Sequence, residues 1–248
     1  LRIIALICYL CFGAMFTEAA KSPWGVWAGY KDVHAKGKMA NIVWSEWEPK
    51  PGIFNTTRSI KKFTKQADPT GYAIVLMKHA GNKTPNWVYD DYGVPRLFMP
   101  NGTVYPYYMY QNKQGEYVYL TLLAEYLKSI VRELRNELNG KKLLSIMFIY
   151  GPDGDPGAFQ EGELPVNLYD HYNGDSKQDW NKDWSAFKEV MSTRLLAALD
   201  EVNAEFPEDE AVLPLLNREM LPWALGQSRT FMFKASGVTQ YFHGRFDG

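Results

Sequence analysis

The sequence predicts an α/β fold built on a parallel sheet, and three observations carry that expectation. Short apolar runs alternate with helical stretches, the pattern of parallel strands joined by crossover helices. The run Tyr72-Ala73-Ile74-Val75-Leu76-Met77 is continuously apolar, as strands covered on both faces are. Leu120, Leu123, Leu127, Ile130, Val131, Leu134 and Leu138 recur at helical spacing and mark one stripe of a long helix.

Taken in order, residues 24–30 form a first strand candidate and 39–44 a second. The second rises into Trp44-Ser45-Glu46-Trp47-Glu48-Pro49, and Pro51-Gly52 marks a turn. A helix is expected over 58–66 and the buried strand over 72–77. A long loop rich in Pro, Gly, Asn and aromatics covers 78–116; loops of that length are often functional. The striped helix spans about 119–138 and stops at Gly140. Strand 143–150 runs into Gly151-Pro152-Asp153-Gly154-Asp155-Pro156-Gly157, and a polar, acidic loop continues to about 182. A second helix over 184–204 uses Phe187, Met191, Leu195 and Leu199. Strand 211–216, a helical or irregular stretch over 221–234 and a last strand over 238–242 complete the chain.

The 248 residues suffice for one large domain with a substantial core. Net charge is -1, from 27 basic and 28 acidic side chains, and no basic stripe stands out, so nothing favours nucleic acid or an anionic membrane. Aromatics make up 15% of the chain. They serve either a ring-rich core or a groove in which flat faces stack on sugars, and composition does not separate the two.

Arg2 precedes an apolar run from Ile3 to Phe16, followed by Thr17, Glu18, Ala19 and Ala20. A basic start, a short apolar stretch and small residues make a secretory signal, expected over 1–20. The run falls short of the roughly 20 apolar residues that span a bilayer. Cys8 and Cys11 are the only cysteines and lie within it, so the mature domain, 21–248, is expected to have no disulfide. Three sequons begin at Asn55, Asn82 and Asn101. Beside a signal they point to an exported glycoprotein.

The segment Asn41-Ile42-Val43-Trp44-Ser45-Glu46-Trp47-Glu48-Pro49-Lys50-Pro51-Gly52-Ile53-Phe54-Asn55 resembles the second-strand region of retaining barrel glycosidases of the β-galactosidase type. In that family an apolar strand leads into a Trp, then Glu-Pro, then Pro-Gly and an aromatic. A helix, a strand after a Gly and a loop with Pro-x-Trp come next. Here Gly71 precedes the strand at 72–77, and Thr84-Pro85-Asn86-Trp87 sits in the loop. The resemblance covers about 24–159. It implies a (β/α)8 TIM barrel. About six strand candidates are present against the barrel's eight, so a barrel truncated at its C-terminal end is the expectation. An open doubly wound sheet is the alternative.

In such barrels, residues at the C-terminal ends of strands face the active site. That places Trp44, Glu46, Trp47, His79 and Trp87 as candidate sugar-binding residues, with the tyrosines between Tyr105 and Tyr110 as stacking surfaces. Glu48, before a proline, suits instead a brace that accepts backbone N–H bonds. The family's fourth strand ends in Asn-Glu, and that Glu is the general acid/base. This chain departs from the pattern. The matching place is the Asp153–Asp155 turn, where Asp155, and after it Asp153, become the acid/base candidates. Glycoside hydrolysis needs two carboxyl groups about 5 to 9.5 Å apart, one with a raised pKa. The same run also suits a plain turn or a calcium ligand set. Asn217-Arg218-Glu219 is an interrupted Asn-Glu after the next strand. It makes Glu219 a further catalytic candidate and Asn217 a binding one.

No G-x-G-x-x-G opening a helix, P-loop, G-x-S-x-G or H-E-x-x-H is present. The reading is hydrolysis of a β-linked glycoside without metal or other cofactor, with a carbohydrate as the partner. The rival is a carbohydrate binder on a barrel that has lost its catalytic pair.

Overall fold

The computed structural model describes residues 27–28, 37–59, 61, 72–137, 142–148, 158–159, 163–172, 174, 176–217, 220–234 and 240–244. The expected signal, most of the 58–66 helix, the last two residues of the 143–150 strand and the run 151–157 lie outside them. The chain is an α/β protein around a parallel sheet. Its strands are β1 (Trp27–Ala28), β2 (Gly37–Val43), β3 (Tyr72–Lys78), β6 (Lys142–Met147), β7 (Leu213–Asn217) and β8 (Phe231–Lys234). They pair in that order, all in parallel. A last strand, β9 (Gln240–Gly244), runs antiparallel to both β8 and β1 and joins the two edges of the sheet. The ring of strands thus closes through an antiparallel member, unlike an all-parallel eight-stranded barrel.

Alternation along the strands sorts their side chains onto two faces. Met39, Ile74, Leu76, Leu144, Met147, Leu215 and Met232 form one small apolar cluster. Ala40, Ile42, Ala73, Val75, Met77, Leu143, Ile146, Leu216 and Phe231 belong to the larger core shared with the helices. The first set fills the inside of the strand ring and the second faces out. The register between β3 and β6 shifts after Ala73, because Leu143 pairs with Ala73 while Ser145 pairs with Ile74. Leu144 is the extra residue of this bulge, and it brings Leu144 and Met147 inward together.

Two long helices cover the outer face. α3 (Val118–Glu137) buries Leu120, Leu123, Leu127, Ile130, Val131 and Leu134, the stripe expected from the sequence. α4 (Lys177–Ala204) starts two turns earlier than expected. Its first turns are polar, yet Trp180 and Trp184, one turn apart, stack at 6.0 Å and are buried. Ser176 caps α4 by accepting the Asp179 backbone N–H at 3.2 Å. Ser176→Ala is expected to cost about 1 kcal/mol, read as a lowered urea midpoint at unchanged slope; an unmoved midpoint would mean that the cap contributes nothing. The helices are tied across their exposed sides by Arg132–Glu205 and Lys128–Glu201. Such pairs add little beside the buried surface.

Three expectations are corrected. The stretch 221–234, expected to be helical or irregular, is helical only over α5 (Leu221–Leu225) and ends in the strand β8. The region 78–116 is not a bare loop. It holds a 3-10 turn (Gly81–Lys83), the helix α2 (Asn86–Asp90) and the hairpin β4 (Arg96–Phe98) with β5 (Val104–Pro106). The second strand does not run on through Trp44, because the chain turns there into one turn of helix, α1 (Trp44–Trp47).

Candidate functional site

In a parallel sheet every strand ends on the same side, so the loops after β2, β3, β6 and β7 leave from one edge. Position alternation then decides which side chains at that edge face the inside of the ring. Asn41 and Val43 share the face of Met39, Lys78 shares that of Ile74 and Leu76, and Asn217 shares that of Leu215. Register stacks these positions in layers. Leu76, Met147 and Leu215 lie side by side with Asn41, and one step further along are Val43 and Lys78 on neighbouring strands, with Asn217 two residues beyond Leu215. Asn41 therefore stands level with the apolar filling, and Val43, Lys78 and Asn217 lie one step above it. Asn41 is exposed, Lys78 half-buried and Asn217 buried, and the last two are engaged with other groups. An ammonium and two amides at the mouth of an apolar ring offer donors and acceptors for hydroxyl groups.

Asn217 is the one sequence-predicted binding residue that lies on this inner face. Asn41 and Lys78 were missed as inner-face residues. Their phase relative to Met39 and Leu76 was the available signal.

The predicted aromatic residues meet elsewhere. Trp44 and Trp47 are fully buried, which corrects their assignment as exposed stacking faces. One turn of helix rotates both rings back onto the outer layer. Trp44 stacks on Tyr126 at 5.0 Å and 8°, and meets Trp87 and Tyr119 edge-on at 5.7 and 5.8 Å. Trp47 donates its Nε1–H to Ser129 Oγ on α3 at 3.0 Å. Glu48 organises the group as a brace. Its Oε2 accepts Trp44 Nε1–H at 3.0 Å, its Oε1 accepts the Gly52 N–H at 2.8 Å, and its carbonyl accepts Trp87 Nε1–H at 2.9 Å. Gly52 has φ +72, a conformation that suits glycine in this turn.

His79 is buried beside this cluster. Tyr119 Oη donates to the His79 carbonyl at 3.0 Å and lies 2.8 Å from Nδ1, which in that arrangement carries its proton and donates to Oη. Thr84 Oγ1 also donates to the His79 carbonyl. The imidazole is a packed member of the core rather than an open sugar contact, and Trp87 is likewise buried. Tyr105, Tyr107 and Tyr108 are buried too, against the expectation of stacking surfaces, while Tyr110 is half-buried. Glu46 is exposed and pairs loosely with Arg58 at 3.8 Å. The fold therefore gathers Trp44 and His79 around Tyr119, with Trp87 packed on Trp44, and leaves Glu46 paired with Arg58 instead.

Asp153, Asp155 and Glu219 lie outside the described residues. In sequence they follow β6 and β7, two strands that pair directly in parallel. No cluster of three or more His, Cys, Asp or Glu suited to a metal occurs among the described residues, and no helix among them is long and apolar enough to cross a membrane.

The buried phenols give the core a pH dependence. Burial holds Tyr108, Tyr119 and Tyr126 well above the ordinary tyrosine range. Above pH ~10 the unfolded chain releases these protons while the folded one keeps them. The stabilisation is complete below that point and falls as pH rises, by about 1.4 kcal/mol per pH unit for each phenol. Alkaline unfolding is expected to coincide with the rise of tyrosinate absorbance, and Tyr126→Phe is expected to make the fall shallower. Loss of the fold at high pH without a cooperative step in tyrosinate absorbance would contradict this.

A scan against models of known protein families finds no match, and a search of curated proteins finds no relative.

Proposed function

We propose that this protein is a glycoside hydrolase of the (β/α)-barrel type, acting on a β-linked glycoside or polysaccharide. The observation that carries the reading is that polar Lys78 and Asn217 follow the apolar inner filling, with Asn41 level with it on β2, at the edge where parallel strands end. In barrels of this type that edge holds the active site. Asp155 or Asp153 would protonate the leaving oxygen, and Glu219, on the segment after the neighbouring strand, would supply the second carboxylate. Asn217 and Lys78 would hold sugar hydroxyls. The resemblance of the Trp44–Phe54 segment to retaining β-galactosidase-type enzymes points the same way. No step requires a cofactor. Export through the secretory pathway, with glycans on the exposed Asn55, Asn82 and Asn101, belongs to the same proposal.

One observation favours a second reading. The fourth parallel strand, β6, is followed by Gly-Pro-Asp-Gly-Asp where the family has Asn-Glu, which suits a carbohydrate binder that no longer cleaves. Turnover of a panel of 4-nitrophenyl β-glycosides decides between the two. Release of nitrophenol above the buffer rate supports the enzyme. Binding of a β-glycoside without release leaves the binder, and neither binding nor release ends both readings.

A further inference from the structure

Along α4, Asp183, Phe187, Val190 and Arg194 follow one another at spacings of four, three and four residues. At 3.6 residues per turn the four share one side of the helix, and at 1.5 Å per residue the two charged positions stand about 16 Å apart. They border a groove between α4, the start of α3 and the segment before it. One hollow of about 280 Å³ is walled by Asp183, Phe187 and Val190 on α4 and by Tyr107, Met109 and Tyr117 opposite. A second, of about 240 Å³, adjoins it through Tyr117 and Val190 and reaches Arg194.

The chain leaves this side of α4 without partners. Val190 is 41% exposed, while Phe187 and Met191 beside it are buried. Asp183 is exposed and accepts the Tyr172 hydroxyl at 2.8 Å, yet no cation pairs with it among the described residues. Arg194 is exposed and makes no ion pair among them either. The last turns of α4 differ, because Asp200, Glu201 and Glu205 there are matched with Arg229, Lys128 and Arg132 of the same chain. A carboxylate, an apolar centre and a guanidinium in line are complementary to the same line reversed. A two-fold axis passing midway between Phe187 and Val190 lays a second α4 antiparallel to the first. Position 183 then faces 194 of the other copy, and 187 faces 190.

We propose that this groove is the interface of a two-fold symmetric dimer, in which Val190 of each copy enters the aromatic hollow of the other and Asp183 pairs with Arg194 across the axis. An isologous contact makes each such pair twice. The hollow supplies what an exposed ion pair lacks. Its rings shield the pair from water, and the stem and guanidinium of an arginine pack well on tyrosine faces. Glu116, which lines the second hollow with Arg194, adds a further negative charge on the same side. Two antiparallel helix segments of this length make a contact at the small end of specific interfaces, so the dimer is reversible and depends on concentration. The proposal does not rest on hydrolysis at the sheet edge.

Sedimentation velocity of the full chain from about 1 µM to about 1 mM, the range of weak specific affinity, tests this. A monomer–dimer equilibrium is expected within it. Arg194→Asp and Asp183→Arg each set like charges face to face and are expected to weaken the dimer at least about tenfold. The double variant exchanges the two charges and restores both pairs, so its affinity is expected within about threefold of wild type. Val190→Asp places a charge at the apolar centre and is expected to leave a monomer. Asp183→Arg also takes the acceptor from Tyr172. If that variant does not fold by circular dichroism, Arg194→Asp and Val190→Asp, at exposed positions, carry the test alone. A monomer at every concentration overturns the proposal. A dimer that the folded variants leave unchanged overturns it too, and so does a folded double variant that stays as weak as the single ones.

Discussion

Trp44→Ala is expected to be the most damaging single change among the described residues. The ring is fully buried and touches Tyr126, Trp87 and Tyr119 at centroid distances of 5.0, 5.7 and 5.8 Å. Truncation of a buried Trp costs roughly 3–5 kcal/mol through lost transfer energy and the cavity left behind. A second loss follows, because Glu48 Oε2 accepts Trp44 Nε1–H at 3.0 Å and would keep no partner there. An orphaned buried acceptor adds about 1–3 kcal/mol. Trp44→Phe separates the two effects: it keeps most of the ring and removes the N–H. Urea denaturation at unchanged slope measures both. A loss below about 1.5 kcal/mol for Trp44→Ala, half the low end for such truncations, would show that the cluster relaxes around the gap. The Trp44 ring would then not be the anchor of α1.

The same residue marks where the sequence was readable and where it was not. The strong apolar run of β3 and the stripe of α3 were legible because each pattern leaves one physical solution. Trp44 and Trp47 were read as a sugar platform because they follow a strand. A single turn of helix instead swings them onto Tyr126 and Ser129 of α3, eighty residues away in sequence. Nothing local announces such a long-range contact. Glu48 was legible as a brace, since the Pro51-Gly52 turn next to it supplies the Gly52 N–H that it accepts. β8 was missed because Phe231–Lys234 is only four residues long, too short for alternation to speak. The hairpin strands, three residues each, were lost for the same reason. The first turns of α4 carry too few apolar residues to declare a stripe, although Trp180 and Trp184 are spaced to share a face.

The inner polar residues were hidden for a different reason. In β3, Ala73, Ile74, Val75, Leu76 and Met77 are all buried, so neither face contrasts with the other. Only the ring of strands tells inside from outside, and only then do Asn41 and Lys78 separate from the outward-facing Ile42 and Met77. Continuous burial is what makes a parallel strand easy to recognise. It is also what makes its two faces hard to distinguish from sequence.

Asp155→Asn is expected to lower the turnover of an aryl β-glycoside substrate by about 10²–10⁴-fold, the usual contribution of a general acid/base. The amide is nearly isosteric, so the fold should hold, and the urea midpoint is the control. Glu219→Gln is expected to act on the same step if it is the partner carboxylate. A unit of two cooperating groups is not additive, so the double variant should be little worse than the more damaging single one. The choice of leaving group sharpens the test. A good leaving group such as 2,4-dinitrophenolate needs no proton, and loss of the acid should slow its release far less than that of a poor leaving group. Equal damage on both would assign Asp155 to the nucleophile or to structure, and turnover equal to wild type on both would remove it from the chemistry. Asp153→Asn, two residues away on the same turn, then becomes the decisive variant. If all three carboxylates prove dispensable while a β-glycoside still binds at the edge marked by Asn217 and Lys78, the parallel sheet holds sugar without cleaving it.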